Sequence, residues 1–258
     1  MGSRSLQVGG SAVLRASELV REKARRLAAH LLEVSVEDVA SFDGGRIGIA
    51  GAPDSALGWE ELARAAADAT RLPEDMDPGL AAEHDFEIDD STYPFGAHVS
   101  VVEVDLDTGE ARPLRHVAVD DCGRILNPRM VEGQVHGGVA QGIAQALYEE
   151  VVFDEDGNPL TSNLTTYSIP GATELPSYET AHTITPTTRN PLGAKGVGES
   201  GTIGAGPAVH NAVVDALAYL GVRHLDMPAT PERVWRAIRD AGTANDTPEG
   251  PNDGGKRR

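Results

Sequence analysis

The run Asn190-Pro-Leu-Gly-Ala-Lys-Gly-Val-Gly-Glu-Ser-Gly-Thr-Ile-Gly-Ala-Gly-Pro-Ala-Val-His210 constrains this chain more than any other stretch. Gly193, Gly196, Gly198, Gly201, Gly204 and Gly206 surround a single carboxylate, Glu199. Glycine at this density lets backbone approach another group closely, at a cost in chain entropy. The spacing predicts a loop running into a helix, with Pro207 in the first turn and the apolar residues of 208–220 three and four apart. A helix N-terminus behind such a loop can offer N–H groups to an anion. Gly196-Val-Gly-Glu-Ser-Gly201 also matches the G-x-G-x-x-G dinucleotide fingerprint, which requires a strand immediately before it. Residues 186–195, Pro-Thr-Thr-Arg-Asn-Pro-Leu-Gly-Ala-Lys, have no strand pattern, so that reading fails. An ordinary glycine-rich turn before a helix stays open.

Composition narrows the function classes. A chain of 258 residues can form one large domain or two modest ones. Aromatics make up only 4%, so the core must be built from Val, Leu, Ile and Ala. The net charge of −18 argues against nucleic acid, which needs a basic face. Such an acidic surface, with lysine only at Lys23, Lys195 and Lys256, suits high salt, where self-repulsion is screened. No apolar run reaches the roughly 20 residues of a membrane span. The first residues lack the apolar core of a signal peptide, so a cytoplasmic location is expected. Cys122, the sole cysteine, excludes an internal disulfide and a multi-cysteine iron–sulfur site. His136, His182 and His210 show no metal-ligand spacing and are expected to be structural.

The patterning predicts an α+β fold of mixed helices and mostly antiparallel strands. An amphipathic helix is expected over 11–33, with Val13, Leu14, Leu19, Val20, Ala24, Leu27, Ala28, Leu31 and Leu32 on one stripe. Short strands follow within 34–54, a second helix over 55–70, and a polar connection over 71–90 that can subdivide the chain. A hairpin is expected from 96–106 and 111–120, turning at Asp107-Thr-Gly109. The helix predicted over 129–150 carries Gly133, Gly137, Gly138 and Gly142, each costing about 1 kcal/mol against Ala. Close packing or close approach of a ligand must compensate. Further strands are expected at 162–168 and 178–184, and a helix after Thr230-Pro231. The domain is expected to span 1–241, with 242–258 a disordered tail.

Three blocks resemble one family. Gly193-Ala-Lys-Gly-Val-Gly-Glu199 looks like the catalytic glutamate loop of the molybdenum hydroxylases. These include xanthine dehydrogenases, aldehyde oxidoreductases and the large subunit of aerobic carbon monoxide dehydrogenase. The segment 120–150, beginning Asp-Asp-Cys-Gly-Arg-Ile-Leu-Asn-Pro and containing Gln134 and Gln141, is similar to a second family block. Gly2-Ser3-Arg4-Ser5 is similar to a third, and the three occur in family order. The resemblance extends to about Ala241 and implies the C-terminal half of a molybdopterin-binding subunit. It implies Glu199 as general base, and Gly2, Ser3, Arg4, Ser5, Gln134, Gln141, Lys195, Gly196, Val197 and Gly198 at the cofactor. That cofactor would be molybdopterin, as the cytosine dinucleotide, carrying molybdenum without a protein ligand. Arg4 and Lys195 are the expected phosphate partners. The implied assembly is a hetero-oligomer with the missing N-terminal half, a [2Fe-2S] subunit and an FAD subunit. Oxidation of carbon monoxide and hydroxylation of an aldehyde or N-heterocycle both remain open, because the substrate-lining segments are not in this sequence. A truncated, non-catalytic remnant or assembly module is the alternative of another class.

Overall fold

The structure, a computed structural model, describes residues 3–245. The chain divides into two compact units, one of Ser5–Asp89 with Asn190–Leu192, the other of residues 3–4, Asp90–Arg189 and 193–245. The boundary lies at the end of the polar connection predicted over 71–90.

The first unit opens with a π-helical turn, Ser5–Gly10, that runs into helix α1, Ser11–Leu31. Strands β1 (Val39–Ser41) and β2 (Ile47–Ile49) pair antiparallel around the Asp43-Gly-Gly45 turn. Helix α2 spans Trp59–Ala66, half the length expected, because its flanks settle into single 3-10 turns. Leu27, Ala24, Ala28, Ile47, Leu62 and Ala65 form the core. Only the C-terminal half of the α1 stripe is covered in this way. Val13 and Leu19 are exposed, contrary to the continuous apolar face expected. Lys23 Nζ donates to the carbonyl of Gly79 at 3.1 Å, tying the connection to α1.

The second unit is built on a three-stranded sheet, β3 (Phe95–Val104), β4 (Ala111–Asp121) and β5 (Tyr178–Thr183), in the order β3-β4-β5. The β3–β4 hairpin is antiparallel, and the Asp105 carboxylate holds its turn by accepting the N–H groups of Asp107 and Thr108 at 2.9 Å. β5 joins β4 in parallel. Residues 162–168 form turns rather than the strand expected. Helix α3, Pro128–Leu147, is started by Asn127, whose Oδ1 accepts the Met130 N–H at 3.3 Å. Helix α4 spans Ser200–Leu217 and lies against α3 and β3. Its apolar side, Ala205, Val209, Val213 and Leu217, packs with Val135, Val139 and Ile143 of α3. Helix α5, Pro231–Asn245, begins at Thr230 as predicted, and carries the chain helically past residue 242, where a disordered tail was expected to begin. Residues 246–258 of that tail lie outside the described residues.

α4 begins about two turns before its proline. Pro207 sits inside the helix, and Gly201, Gly204 and Gly206 are helical residues rather than loop. The cause is packing. A Cβ on Gly201 would stand 2.6 Å from the Val135 carbonyl, and one on Gly204 would stand 2.6 Å from the His98 ring. On the facing helix, a Cβ on Gly142 would lie 2.7 Å from Ala205 Cβ and 2.8 Å from the Gly206 nitrogen. Two helices without side chains at these points approach backbone to backbone, and the contact offsets the poor helix propensity of glycine.

The four glycines of α3 therefore divide. Gly138 and Gly142 are buried against α4, while Gly133 and Gly137 are exposed and a Cβ on either meets nothing within 4 Å. Gly142→Val should cost about 1–3 kcal/mol through overpacking. Gly133→Ala should stabilise by up to about 1 kcal/mol through helix propensity. Urea midpoints of the two variants shifting in opposite directions would support this division. A Gly142→Val midpoint equal to wild type would contradict it.

Candidate functional site

Three distant segments of the second unit meet beside the N-terminus of α4. Ser3 Oγ accepts the N–H groups of both Val197 and Gly198 at 3.1 Å. A Cβ on Gly198 would lie 3.4 Å from that same oxygen and 3.4 Å from Gln134 Oε1. A Cβ on Gly196 would stand 2.8 Å from Ser3 Cβ, so glycine is required for Ser3 to seat. Ser3 itself holds φ +56°, a conformation that costs a non-glycine residue roughly 1–2 kcal/mol. The contacts that over-determine it are those of the glycine loop.

Glu199 follows at once, as the residue preceding the first turn of α4, with φ −112° and ψ −9°. Its carbonyl accepts the Ile203 N–H at 3.0 Å and its side chain is exposed. The carboxylate thus stands at the positive end of an 18-residue helix, where negative charge is favoured by about 0.3–1 kcal/mol.

Along α3, Gly133, Gln134, Gly137 and Gln141 form one exposed strip, three and four residues apart. Thr202 Oγ1 of α4 is 3.0 Å from the Gly138 carbonyl and 3.1 Å from Gln141 Oε1, and its one proton holds both. Gln141 is therefore held by α4, and Gln134 lies beside the glycine loop. Between them the backbone at Gly137 is bare.

Lys195 differs from its expected role. Its ammonium donates to Asp121 Oδ1 at 3.1 Å and stands 4.6 Å from the centre of the Phe95 ring. Lysine and aspartate side chains are only 8% and 0% exposed, so the charge is a buried counter-ion and not a phosphate partner. Burial pushes the Asp121 carboxyl up, but hydrogen bonds from Gly123 N–H, Thr185, Lys195 and Thr183 outweigh it and hold the group at about 2. The backbone reinforces this joint. Lys195 N donates to the Cys122 carbonyl at 2.7 Å, and Gly123 and Ala194 form a bridge in which Gly123 and Gly193 both take positive φ. The loop carrying Glu199 is thereby fastened to the end of β4. Cys122 is buried there, and burial raises its thiol pKa.

Val197 and Gly198, expected at a cofactor, give their N–H groups to Ser3. Val197 also packs on the core of the second unit. Arg4 is exposed beside Ser3. Ser5 falls in the first unit, as the start of its π-helical turn, and Gly2 lies outside the described residues.

One feature that residue-by-residue reading missed is a buried polar chain on the inner face of the β3–β4 hairpin. Ser100 Oγ is 2.6 Å from His116 Nδ1, His116 Nε2 is 3.2 Å from His98 Nδ1, and His98 Nε2 is 3.4 Å from Asp120 Oδ1. The signal was the strand period, since 98 and 100 of β3 and 116, 118 and 120 of β4 fall on one and the same face of the paired strands. Of the histidines expected to be structural, His136 meets the Tyr178 ring edge-on and His210 bonds the Leu225 carbonyl at 2.8 Å.

Burial pushes His116 down from 6.5 to about 4, with His98 adding to the shift and Asp120 opposing it. Unfolding between these values takes up a proton at His116. Stability should therefore fall as pH drops from 6.5 to 4, by at most about 1.4 kcal/mol per unit from this group. Urea midpoints across that window test it, with His116→Gln expected to flatten the slope. A variant slope equal to wild type would contradict the assignment.

The model of the family described as the molybdopterin cofactor-binding domain matches residues 1–176, which include Ser3 and Gln134 but stop short of Glu199. The chain is 42% identical over 243 residues to the carbon monoxide dehydrogenase large chain of Hydrogenophaga pseudoflava, covering 94% of this chain and 30% of that one. It is 38% identical over 240 residues to the nicotine 6-hydroxylase large subunit of Paenarthrobacter nicotinovorans, covering 93% and 29%. The crystal structure of a Cu,Mo-CO dehydrogenase superposes with a TM-score of 0.86 at 40% identity, covering 94% of this chain and 30% of that chain. The chain thus spans about 30% of the length of the relatives it matches, and the match runs through both of its units. No helix among the described residues is long and apolar enough to cross a membrane. With two-thirds of the chain under the family model and nearly all of it aligned to these enzymes, this protein belongs to the molybdopterin cofactor-binding domain family.

Proposed function

We propose that this chain forms one side of the active site of a molybdenum-dependent oxidoreductase, with Glu199 as its base. The observation that carries the reading is the convergence of Ser3, Gln134 and Gly198, from three distant segments, beside Glu199. An apolar interior would not require it, since these groups are largely exposed.

The residues present fit a pterin. Gly133 and Gly137 leave space that a side chain would fill, and Gln134 and Gln141 flank it with amides able both to donate and to accept. Arg4 is the exposed cation for an anionic tail such as a dinucleotide's. Ser3, Val197 and Gly198 act one step behind, bracing the loop. When bound, the cofactor would supply the two-electron redox chemistry and the activated oxygen. Glu199 would take a proton at its carboxylate. The Lys195–Asp121 joint would keep that carboxylate in place.

The large-chain and large-subunit relatives favour a hetero-oligomer in which further segments complete the site and iron–sulfur and flavin subunits take the electrons. Carbon monoxide dehydrogenase, nicotine 6-hydroxylase and aldehyde oxidoreductase are all among the similar proteins, which supports carbon monoxide, an N-heterocycle or an aldehyde as the substrate class. A cytoplasmic site of action fits the reading. The test is to co-produce the chain with the remaining length of a family subunit and its partners. Molybdenum by elemental analysis and dye-coupled oxidation of carbon monoxide, aldehydes and N-heterocycles are then measured. Stoichiometric molybdenum with turnover on one class is the expected result. A correctly assembled complex without molybdenum would favour a non-catalytic assembly module.

A further inference from the structure

A small pocket of about 110 Å³ opens against the first turn of α4, with Phe95, Ile203 and Pro94 as apolar walls and Asp120, His98 and Ser200 as its polar lining. Two buried polar atoms here lack a partner, Asp120 Oδ2 and Ser200 Oγ. Asp120 is only 3% exposed, and an unsatisfied buried acceptor of this kind costs several kcal/mol when charged. The volume is well above the ~10–15 Å³ that a single water needs.

We propose that this pocket is a binding site for a small hydrogen-bond donor, with water as its resting occupant, and that the Ser100–His116–His98 chain fixes Asp120 as the acceptor. The direction of the chain follows from its last member. An ionised Asp120 can only accept, so His98 must carry its proton on Nε2. With that ring neutral, His98 Nδ1 is an acceptor, which puts the His116 proton on Nε2. His116 Nδ1 is left to accept from the Ser100 hydroxyl. Every ring nitrogen is satisfied with both imidazoles neutral, and no proton is left over to quench Asp120 Oδ2. That oxygen must find its donor in the pocket. A donor seated there also reaches for Ser200, the first residue of α4 and the neighbour of Glu199.

Occupancy thereby ties the start of α4 to the sheet, making Asp120 and Ser200 positioning residues for the base. This last link rests on the reading of Glu199 given above, whereas the ligand site does not.

The test uses the 258-residue chain. Ring nitrogen shifts from ¹⁵N-histidine NMR should show His98 and His116 both neutral and protonated on Nε2 at neutral pH. A crystal structure should show an ordered water within hydrogen-bond reach of Asp120 Oδ2 and Ser200 Oγ. Ser200→Ala should weaken that water and leave both tautomers unchanged. Either ring protonated on Nδ1, or an empty pocket in a crystal that orders water elsewhere, would overturn the site. In the assembled enzyme, Ser200→Ala should lower kcat severalfold and shift the pH–rate profile at unchanged molybdenum content. A wild-type profile would overturn the link to Glu199 alone.

Discussion

Replacing Lys195 by methionine should destabilise the folded chain by roughly 3–5 kcal/mol, the cost of stranding one half of a buried ion pair. Methionine matches the length and apolar body of the lysine stem, so packing against Phe95 is retained. What is lost is the cation paired with the Asp121 carboxylate, whose side chain is fully buried. Gly123 N–H and Thr183 Oγ1 would remain, each at 2.9 Å. They hydrogen-bond the carboxylate without neutralising it. The Asp121 pKa, now about 2, should rise in the variant. In wild type, the stability contributed by this group is present above 3.8 and lost as pH falls through about 2. In the variant that loss should begin at higher pH. Urea unfolding at pH 7 measures the first effect and its acid limb the second. A loss below about 1 kcal/mol would show that the neutral hydrogen bonds from Gly123, Thr183 and Thr185 suffice and that the pair behaves like a surface one.

Glu199→Gln should lower turnover of the assembled enzyme by at least about a hundredfold, the usual contribution of a positioned general base. Glutamine keeps the size of the side chain and its hydrogen-bonding reach but cannot take up a proton. Because the Glu199 carbonyl, not its carboxylate, holds the first turn of α4, the substitution leaves the backbone contact to Ile203 intact. Molybdenum content should therefore equal wild type, which separates loss of the base from loss of the cofactor. Turnover within a fewfold of wild type would remove Glu199 from the proton-transfer step.

Much of this arrangement was legible in the residues. The β3–β4 hairpin follows from alternation and the Asp-Thr-Gly turn, and α3 from the Asn127-Pro128 start. The glycine run marked a place of close backbone approach, because glycine at that density has few other uses. Its partition into loop and helix was not legible. Pro207 is a good first-turn residue by local rules, and only the α3 backbone, 64 residues earlier for the Gly138–Thr202 contact, makes Ser200 the start. Lys195 misled for a related reason. A lysine in a glycine loop suggests phosphate, whereas its partner Asp121 lies 74 residues away and is reached only through the sheet. The His98–His116–Asp120 chain needed the register of β3 on β4, which alternation leaves undetermined. The first half of the α1 stripe was apolar in sequence and exposed in the fold, as nothing in a periodicity says what will cover it.

The central claim is that the bare strip of α3 between Gln134 and Gln141 is a cofactor surface. Gly137→Leu tests it most directly, since a side chain there meets no protein atom within 4 Å yet fills the space offered to the cofactor. Leucine is also the better helix former by about 1 kcal/mol, so the chain itself should be as stable as wild type or more so. The measurement is molybdenum and pterin per assembled subunit for wild type and variant, alongside the urea midpoint of each. A stable variant that has lost most of its molybdenum is the expected result. A stable Gly137→Leu subunit with a full complement of molybdenum would contradict it.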